Sequence, residues 1–555
     1  HILINEMSLL LVEDETGAWQ LSGFESSQIN DIEPLLDILF NIARLQITEA
    51  QIVLQANDGS RSELNNIYLD IQNRNLDHQA QLQFRLNNQD SPLQMSVRLD
   101  GDPLDRYSAN AYMDFDNLEL TPVIGAEFSE QLNFSALNSS GQLWAEFDNQ
   151  SLKQIQGSLR ELNVFATFPE SGQEMQITSG STDFTAIQPI NNEWSLWAQN
   201  LEFDFFNRPW ESGDFFIDIN LQDQNTELDI YGEAVDLSIV TDMLDATNLS
   251  DRLRQILADL DPQGSLRNLH LKTDSSGAYP GLFDLQANLD DVAVGAWAQA
   301  PSGTGISGYL EANQNTGFVE LDSDNFSIHL PVIFTDEWHY DSINSRVYWS
   351  VDDAIRVHSE VIDIRNEQLH GRVQFELNNK QNAEGVWDTD LTLLIGILDF
   401  DASYKSLYLP TLSAIRETMD WLDTAILQGN VHNSGFLFRG KTTNLQSSLE
   451  RNIQTYYEVE DASIRFLDDW PILENINAKV KVDNVLVDVS SDHAEIADIV
   501  LGSTRAEVRP ISGGTGSWLT VDTEAVTAGN TGLDFLRESP IRATVGSYLD
   551  SWLLE

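Results

Sequence analysis

Long stretches of the chain alternate apolar with polar residues, the pattern of a β-strand that keeps one face in water. Ile67, Leu69 and Ile71 alternate with polar neighbours, as do Leu82, Phe84 and Leu86, and then Met95, Val97 and Leu99. Asn87-Asn88-Gln89-Asp90, Asp100-Gly101-Asp102-Pro103 and Asn138-Ser139-Ser140-Gly141 separate such runs and read as turns. Turn signals recur about every ten residues, as in antiparallel meanders. The pattern predicts strands from Ile47 to about Asn225, then at Leu266–Leu271 and Leu282–Leu289. After a Gly- and Ser-rich loop at Ala300–Ser307 it predicts further strands at Tyr309–Ala312, Gly317–Leu321 and Phe326–Ile333. Later ones include Gly371–Leu377, Asp390–Phe400, Tyr456–Val459, Ser463–Phe466 and Ala478–Val482.

Four segments change period from two to helical. Leu412, Ile415, Met419, Leu422 and Ile426 put one apolar face on a helix near 411–428, with Pro410 at its start and Gly429 as its stop. Similar punctuation predicts helices near 33–45, over Ser250–Leu260, and within Ser539–Leu553. These markers divide the chain into modules at 1–245, 246–405 and 406–535, with 536–555 opening a further one. No Pro-rich hinge, Gly/Ser tether or block of like charge separates them, so a continuous sheet is expected rather than beads on a string. The fold class read from the pattern is mainly β, built of repeating β modules punctuated by short amphipathic helices.

Composition narrows the function. The 555 residues are 41% hydrophobic and 9% aromatic, enough for a folded core despite a net charge of −58. That charge argues against nucleic acid, whose phosphates need basic patches, and against attachment to anionic headgroups. There is no cysteine, which removes disulfides, zinc–thiolate sites and cysteine nucleophiles. The longest apolar run, Leu391–Leu398, is far short of the roughly 20 residues of a membrane-spanning helix. The chain opens on His1-Ile2-Leu3-Ile4 in a strand-like run and closes in a helical pattern, as expected of a segment of a longer protein.

Catalytic and cofactor motifs lack their contexts. Gly303-Thr304-Gly305-Ile306-Ser307-Gly308 fits G-x-G-x-x-G, but a strand-like run follows where a dinucleotide site needs a helix. Asp322-Ser323-Asp324-Asn325 lacks the Gly and Glu of a calcium loop and reads as a solvated turn. The histidines are scattered. Carboxylate pairs such as Asp388/Asp390 and Asp399/Asp401 are expected by chance among 88 acidic residues. The aromatic stretch Asn200–Asn225 reads as two packed strands joined at Arg208-Pro209-Trp210. No catalytic, metal or cofactor residue is assigned, and the chain is not read as an enzyme.

Ordered motifs in the second half carry a resemblance. They are Gly305/Gly308/Leu310, Pro331/Phe334, Trp349, Tyr408-Leu409-Pro410, then Trp421-Leu422/Ala425/Gly429 and Trp470-Pro471. In that order they resemble the YhdP-type branch of the AsmA-like family. The segment after Gly429 departs from the family, which has a proline there. The resemblance implies a long, twisted, open antiparallel sheet curled into a groove. It also implies a periplasmic segment, an inner-membrane anchor beyond its N-terminus, and the carriage of phospholipid between inner and outer membranes. Envelope proteins at either end are the further partners it implies.

If that holds, the inward set of each strand shelters acyl chains. Leu269 and Leu271, Phe283 and Leu285, then Val373, Phe375 and Leu377, Phe436 and Phe438, and Val480 and Val482 are the candidates. Their other reading is ordinary core between two packed sheets of a structural or adhesive scaffold.

Overall fold

The computed structural model describes residues 1–13, 19–22 and 39–545, except 58, 60, 88, 90, 104, 122–131, 150, 170–171, 189–192, 223–224, 247–250, 275–281, 298–299, 332–333, 382–385, 410–415, 443–447 and 513–515. It is mainly β, with few short helices. Contacts divide the chain into two compact units, His1–Arg254 with Leu266–Asp284, and Gln255–Ser265 with Leu285–Glu555.

In the first unit an antiparallel meander runs strand by strand from Arg44–Gln55 to Asn225–Asp236. Between its bulges, alternation holds the same face inward. Ile47, Leu69, Leu82, Met95, Met113 and Leu143 stand opposite one another in turn across six strands. Two short strands, Ile2–Asn5 and Ser8–Glu13, add to Arg44–Gln55 in parallel, a departure from the antiparallel rule. The hairpin of the aromatic stretch turns at Phe206-Asn207, slightly before the expected Arg208-Pro209-Trp210. Phe203 stacks on Trp210 at 5.1 Å across it, so these aromatics are packed strand partners.

The second unit repeats the plan from Ser302–Asn313 to Ser517–Ala525. Among the described residues one strand is split, into Ala354–Ser359 and Ile362–Arg365, both paired with Trp338–Val351. The Gly-rich segment expected as a loop is strand from Ser302 onward. Gly308 explains the composition. A Cβ there would lie 1.8 Å from the Glu320 carbonyl oxygen, so glycine lets the two backbones approach. The supposed turn Asp322–Asn325 is also strand interior, with Ser323 buried.

Helices differ from expectation mainly at their edges. Residues 39–41 are helical before strand begins at Arg44, and the rest of the first expected helix lies outside the described residues. Asp251–Leu260 is helical as expected, but Leu237–Ala246 precedes it unforeseen. The run before Pro410 is a helical turn, Lys405–Tyr408. Arg416–Ala425 is the described part of the third helix. It stops before Ile426, and Gly429 sits inside the next strand at φ 149°, where a Cβ would meet that of Ala462 at 2.9 Å. Gly529–Glu538 is a helix not foreseen; of the helix expected within Ser539–Leu553, Arg542–Val545 is helical and residues 546–555 lie outside the described residues.

Candidate functional site

Pairing in the second unit brings three of the predicted groups onto one face. Val373 stands opposite Ile395, which stands opposite Phe436; Phe375, Leu393 and Phe438 align likewise. The first row continues through Thr455, Val482, Val487, Val508 and Leu519. Val480 joins a neighbouring row opposite Tyr457 and Val489. Cross-strand apolar pairs of this kind contribute about 0.2–1 kcal/mol each. Leu269 and Leu271 lie in the first unit, Leu269 buried and Leu271 half-buried, on the side opposite His270. Phe283 and Leu285 are half-buried on the strand Leu282–Val294, alternating with exposed Asp284 and Gln286.

The rows contain residues that sequence reasoning missed: Leu391, Leu393 and Ile395 on one side of the strand Ile426–Lys441, and Ile453 and Tyr457 on the strand at its other side. In Leu391–Leu398 the outward Leu394 is apolar too, so alternation is hidden and only pairing reveals the inward set. Burial pushes the Tyr457 phenol up, so it enters the apolar face uncharged.

Val373, Phe375, Leu377, Phe436, Phe438, Val480 and Val482 are all half-buried rather than buried. Fully buried positions gather at one end of these strands. Phe326, Tyr340 and Ile343 form one such cluster, and Ala494, Ile496, Ile499 and Leu501 another, with Phe535 of the helix Gly529–Glu538 packed on it. Every described hydrophobic cluster draws only on strands that neighbour one another in the meander, together with adjoining helices and turns. Two packed sheets would instead mix distant strands at close to full burial.

The opposite face is polar and aromatic. In the second unit Tyr309, Phe318, Tyr348 and His358 pack ring against ring across four strands, at 5.9, 5.8 and 4.9 Å, the last pair stacked. Arg346 lies over Phe318 at 5.1 Å and pairs with Glu320, which holds the guanidinium firmly charged. In the first unit Trp197, Phe216, Tyr231 and His270 repeat the ladder, and His270 Nε2 lies 2.8 Å from Asp229 Oδ1.

Concave chemistry is slight. A recess of about 250 Å³ opens beside Phe203, Trp210, Glu202 and Asp204. Among the described residues no group of three or more His, Asp or Glu is placed to hold a metal, and no helix is long and apolar enough to cross a membrane.

Among the described residues, then, the chain is built of repeated antiparallel strands that align apolar residues in rows along one face. The family model described as YhdP protein matches residues 1–554, and the chain belongs to that family. No curated protein and no solved structure matches it.

Proposed function

We propose that the chain carries phospholipid between the inner and outer membranes of a bacterial envelope, with acyl chains resting on the inward apolar face. The observation that carries this is the continuous half-buried row through Val373, Ile395 and Phe436. Such a row offers successive equivalent contacts. Each methylene withdrawn from water is worth about 0.8 kcal/mol, so retention depends on area and not on one residue. A lipid can then move by exchanging like contacts for like, with no group that must react. Headgroups stay in water at the margin, and the net charge of −58 keeps so much apolar surface soluble. In this reading the chain lies in the periplasm, joined to an inner-membrane anchor through a longer protein, with outer-membrane or periplasmic proteins as further partners.

Native mass spectrometry of the purified chain, with extraction and identification of lipid, tests it. Phospholipid should copurify, be lost on F375D/L377D, and be retained on Q374D/N378D, which adds the same charge to the other face of that strand. A lipid-free protein that takes up no added phospholipid would make the face a scaffold surface and remove the proposal.

A further inference from the structure

Most long strands of the second unit change the parity of their inward positions partway along. In Arg451–Ile464 the inward residues are Thr455, Tyr457 and Val459, then Ala462 and Ile464. In Ile426–Lys441 they are Phe438, Phe436 and Ser434, then Val431. These two changes fall at register shifts holding an extra residue, Asp461 at φ 50° and Asn433 at 46°, and Asn475 at 51° is such a residue on the next strand, Leu473–Asp483. An extra residue in one strand is a β-bulge, which bends and twists it. Such a bulge takes a backbone N–H out of the ladder, and here side chains answer it. Asp461 N–H donates to Asn477 Oδ1 at 3.2 Å, and Glu458 N–H to Ser434 Oγ at 3.2 Å. The Ser434 hydroxyl in turn donates to the His432 carbonyl at 2.8 Å. Ser307 N–H likewise donates to Ser323 Oγ at 2.8 Å. Bulges on neighbouring strands meet, since Leu398 and Asn433 fall opposite each other between the pairs Asp399–His432 and Ile397–Ser434.

We infer that this line of capped bulges is a built-in crease. It bends each strand while the change of parity keeps apolar residues on one side of both arms. One arm is the half-buried face, and the other is the buried end with Val431, Ala462 and Ala494. Asn433, Asp461, Ser434 and Asn477 are its positioning residues. Without the extra residue, the arm beyond the crease would turn its apolar set outward, because a shift of one position reverses every side chain. The inference concerns the shape of the face and goes beyond the question of its cargo.

The chain has no cysteine, so single cysteines report facing directly. Val431 is buried and Asn430 exposed on the arm beyond Asn433. Thiol labelling rates of V431C and N430C are measured in the full chain, alone and with Asn433 deleted. The deletion should raise labelling of V431C roughly tenfold or more and lower that of N430C, whereas simple loosening would raise both. If the deletion does not fold, single cysteines in the otherwise native chain decide the matter. F436C and V431C lie an odd number of residues apart, so unbroken alternation would protect position 430 together with 436, whereas the crease protects 431. Slow labelling of F436C and V431C with fast labelling of N430C is expected, and slow labelling of N430C with fast labelling of V431C would overturn the crease.

Discussion

Asp70 accepts two hydrogen bonds from a single guanidinium, that of Arg44, with Nε at 3.0 Å from Oδ1 and Nη2 at 2.7 Å from Oδ2. The pair bridges two neighbouring strands on the outer face, and the carboxylate is buried whereas the arginine is partly exposed. Hydrogen bonds from Arg44 hold the Asp70 carboxyl below the usual carboxylate range, outweighing the opposing effect of burial. A folded pKa below the unfolded one gives stability that is present above the unfolded value, about 3.9, and lost as pH falls through the folded value. Asp70→Asn should therefore cost stability at pH 7, and the gap from the native chain should narrow steadily between about pH 5 and pH 2. Urea midpoints across that range check it; a gap independent of pH would mean that the charge contributes nothing.

Two glycines in the second unit separate conformational need from tolerance. At Gly308, φ is 148° and a Cβ would meet the Glu320 carbonyl oxygen at 1.8 Å. At Gly396 the nearest atom to a Cβ is the Arg372 carbonyl oxygen at 3.9 Å. Gly308→Ala should destabilise by at least about 1–3 kcal/mol from backbone strain alone. Gly396→Ala should be neutral or slightly stabilising, because it removes unfolded-state freedom without a clash. Chemical denaturation of the two variants distinguishes them.

The strands themselves were legible, because alternation is a local signal. Their continuity was not. Asn138-Ser139-Ser140-Gly141 reads as a turn yet lies within the strand Asn133–Asp148. Gly317–Leu321 and Phe326–Ile333 read as two strands, but Thr316–His329 is one. Tyr456–Val459 and Ser463–Phe466 likewise belong to a single strand, Arg451–Ile464. In the last two, Asn325 and Asp461 take positive φ in mid-strand and imitate turn chemistry, since such residues tolerate that conformation in both settings; Asn138-Ser139-Ser140-Gly141 lies instead opposite the bulges at Asn117 and Glu161 of its partner strands. Inward residues such as Phe375 and Phe438 could be named from alternation, but that they share a row through Leu393 depends on pairing, which one sequence does not encode locally.

That row makes the apolar face testable one side chain at a time. Phe438 faces inward between Leu393 and Ile453, and its neighbour Leu437 faces outward between Leu394 and Gln454. If an acyl chain rests against Phe438, truncation to Ala removes roughly 1 kcal/mol of contact. That loss corresponds to about a fivefold weaker affinity for a fluorescent fatty acid. Leu437→Ala should leave the affinity unchanged. Titration of both variants with the same probe measures the difference, and equal effects would show that the probe does not sense the inward side.

The helix Leu237–Ala246 escaped sequence reading because Ile239, Val240 and Thr241 are β-branched and continue the strand-like texture before them. Its start is set by Asp236, whose Oδ1 accepts from the Ile239 N–H at 2.9 Å and from the Ser238 hydroxyl at 2.7 Å. The carboxylate thus satisfies a donor that the first turn leaves unpaired, and its charge suits that end of the helix. Ile239 then anchors the turn, at 1% exposure. Asp236→Ala should cost about 0.5–2 kcal/mol and Ile239→Ala about 2–5 kcal/mol. The two losses differ in kind. Loss of the cap should speed hydrogen exchange chiefly at the first amides of the helix, whereas loss of the anchor should speed it throughout Leu237–Ala246. Exchange followed by mass spectrometry on both variants separates these outcomes. If Asp236→Ala leaves the first amides protected, the helix start is held by packing at Ile239 and not by the carboxylate.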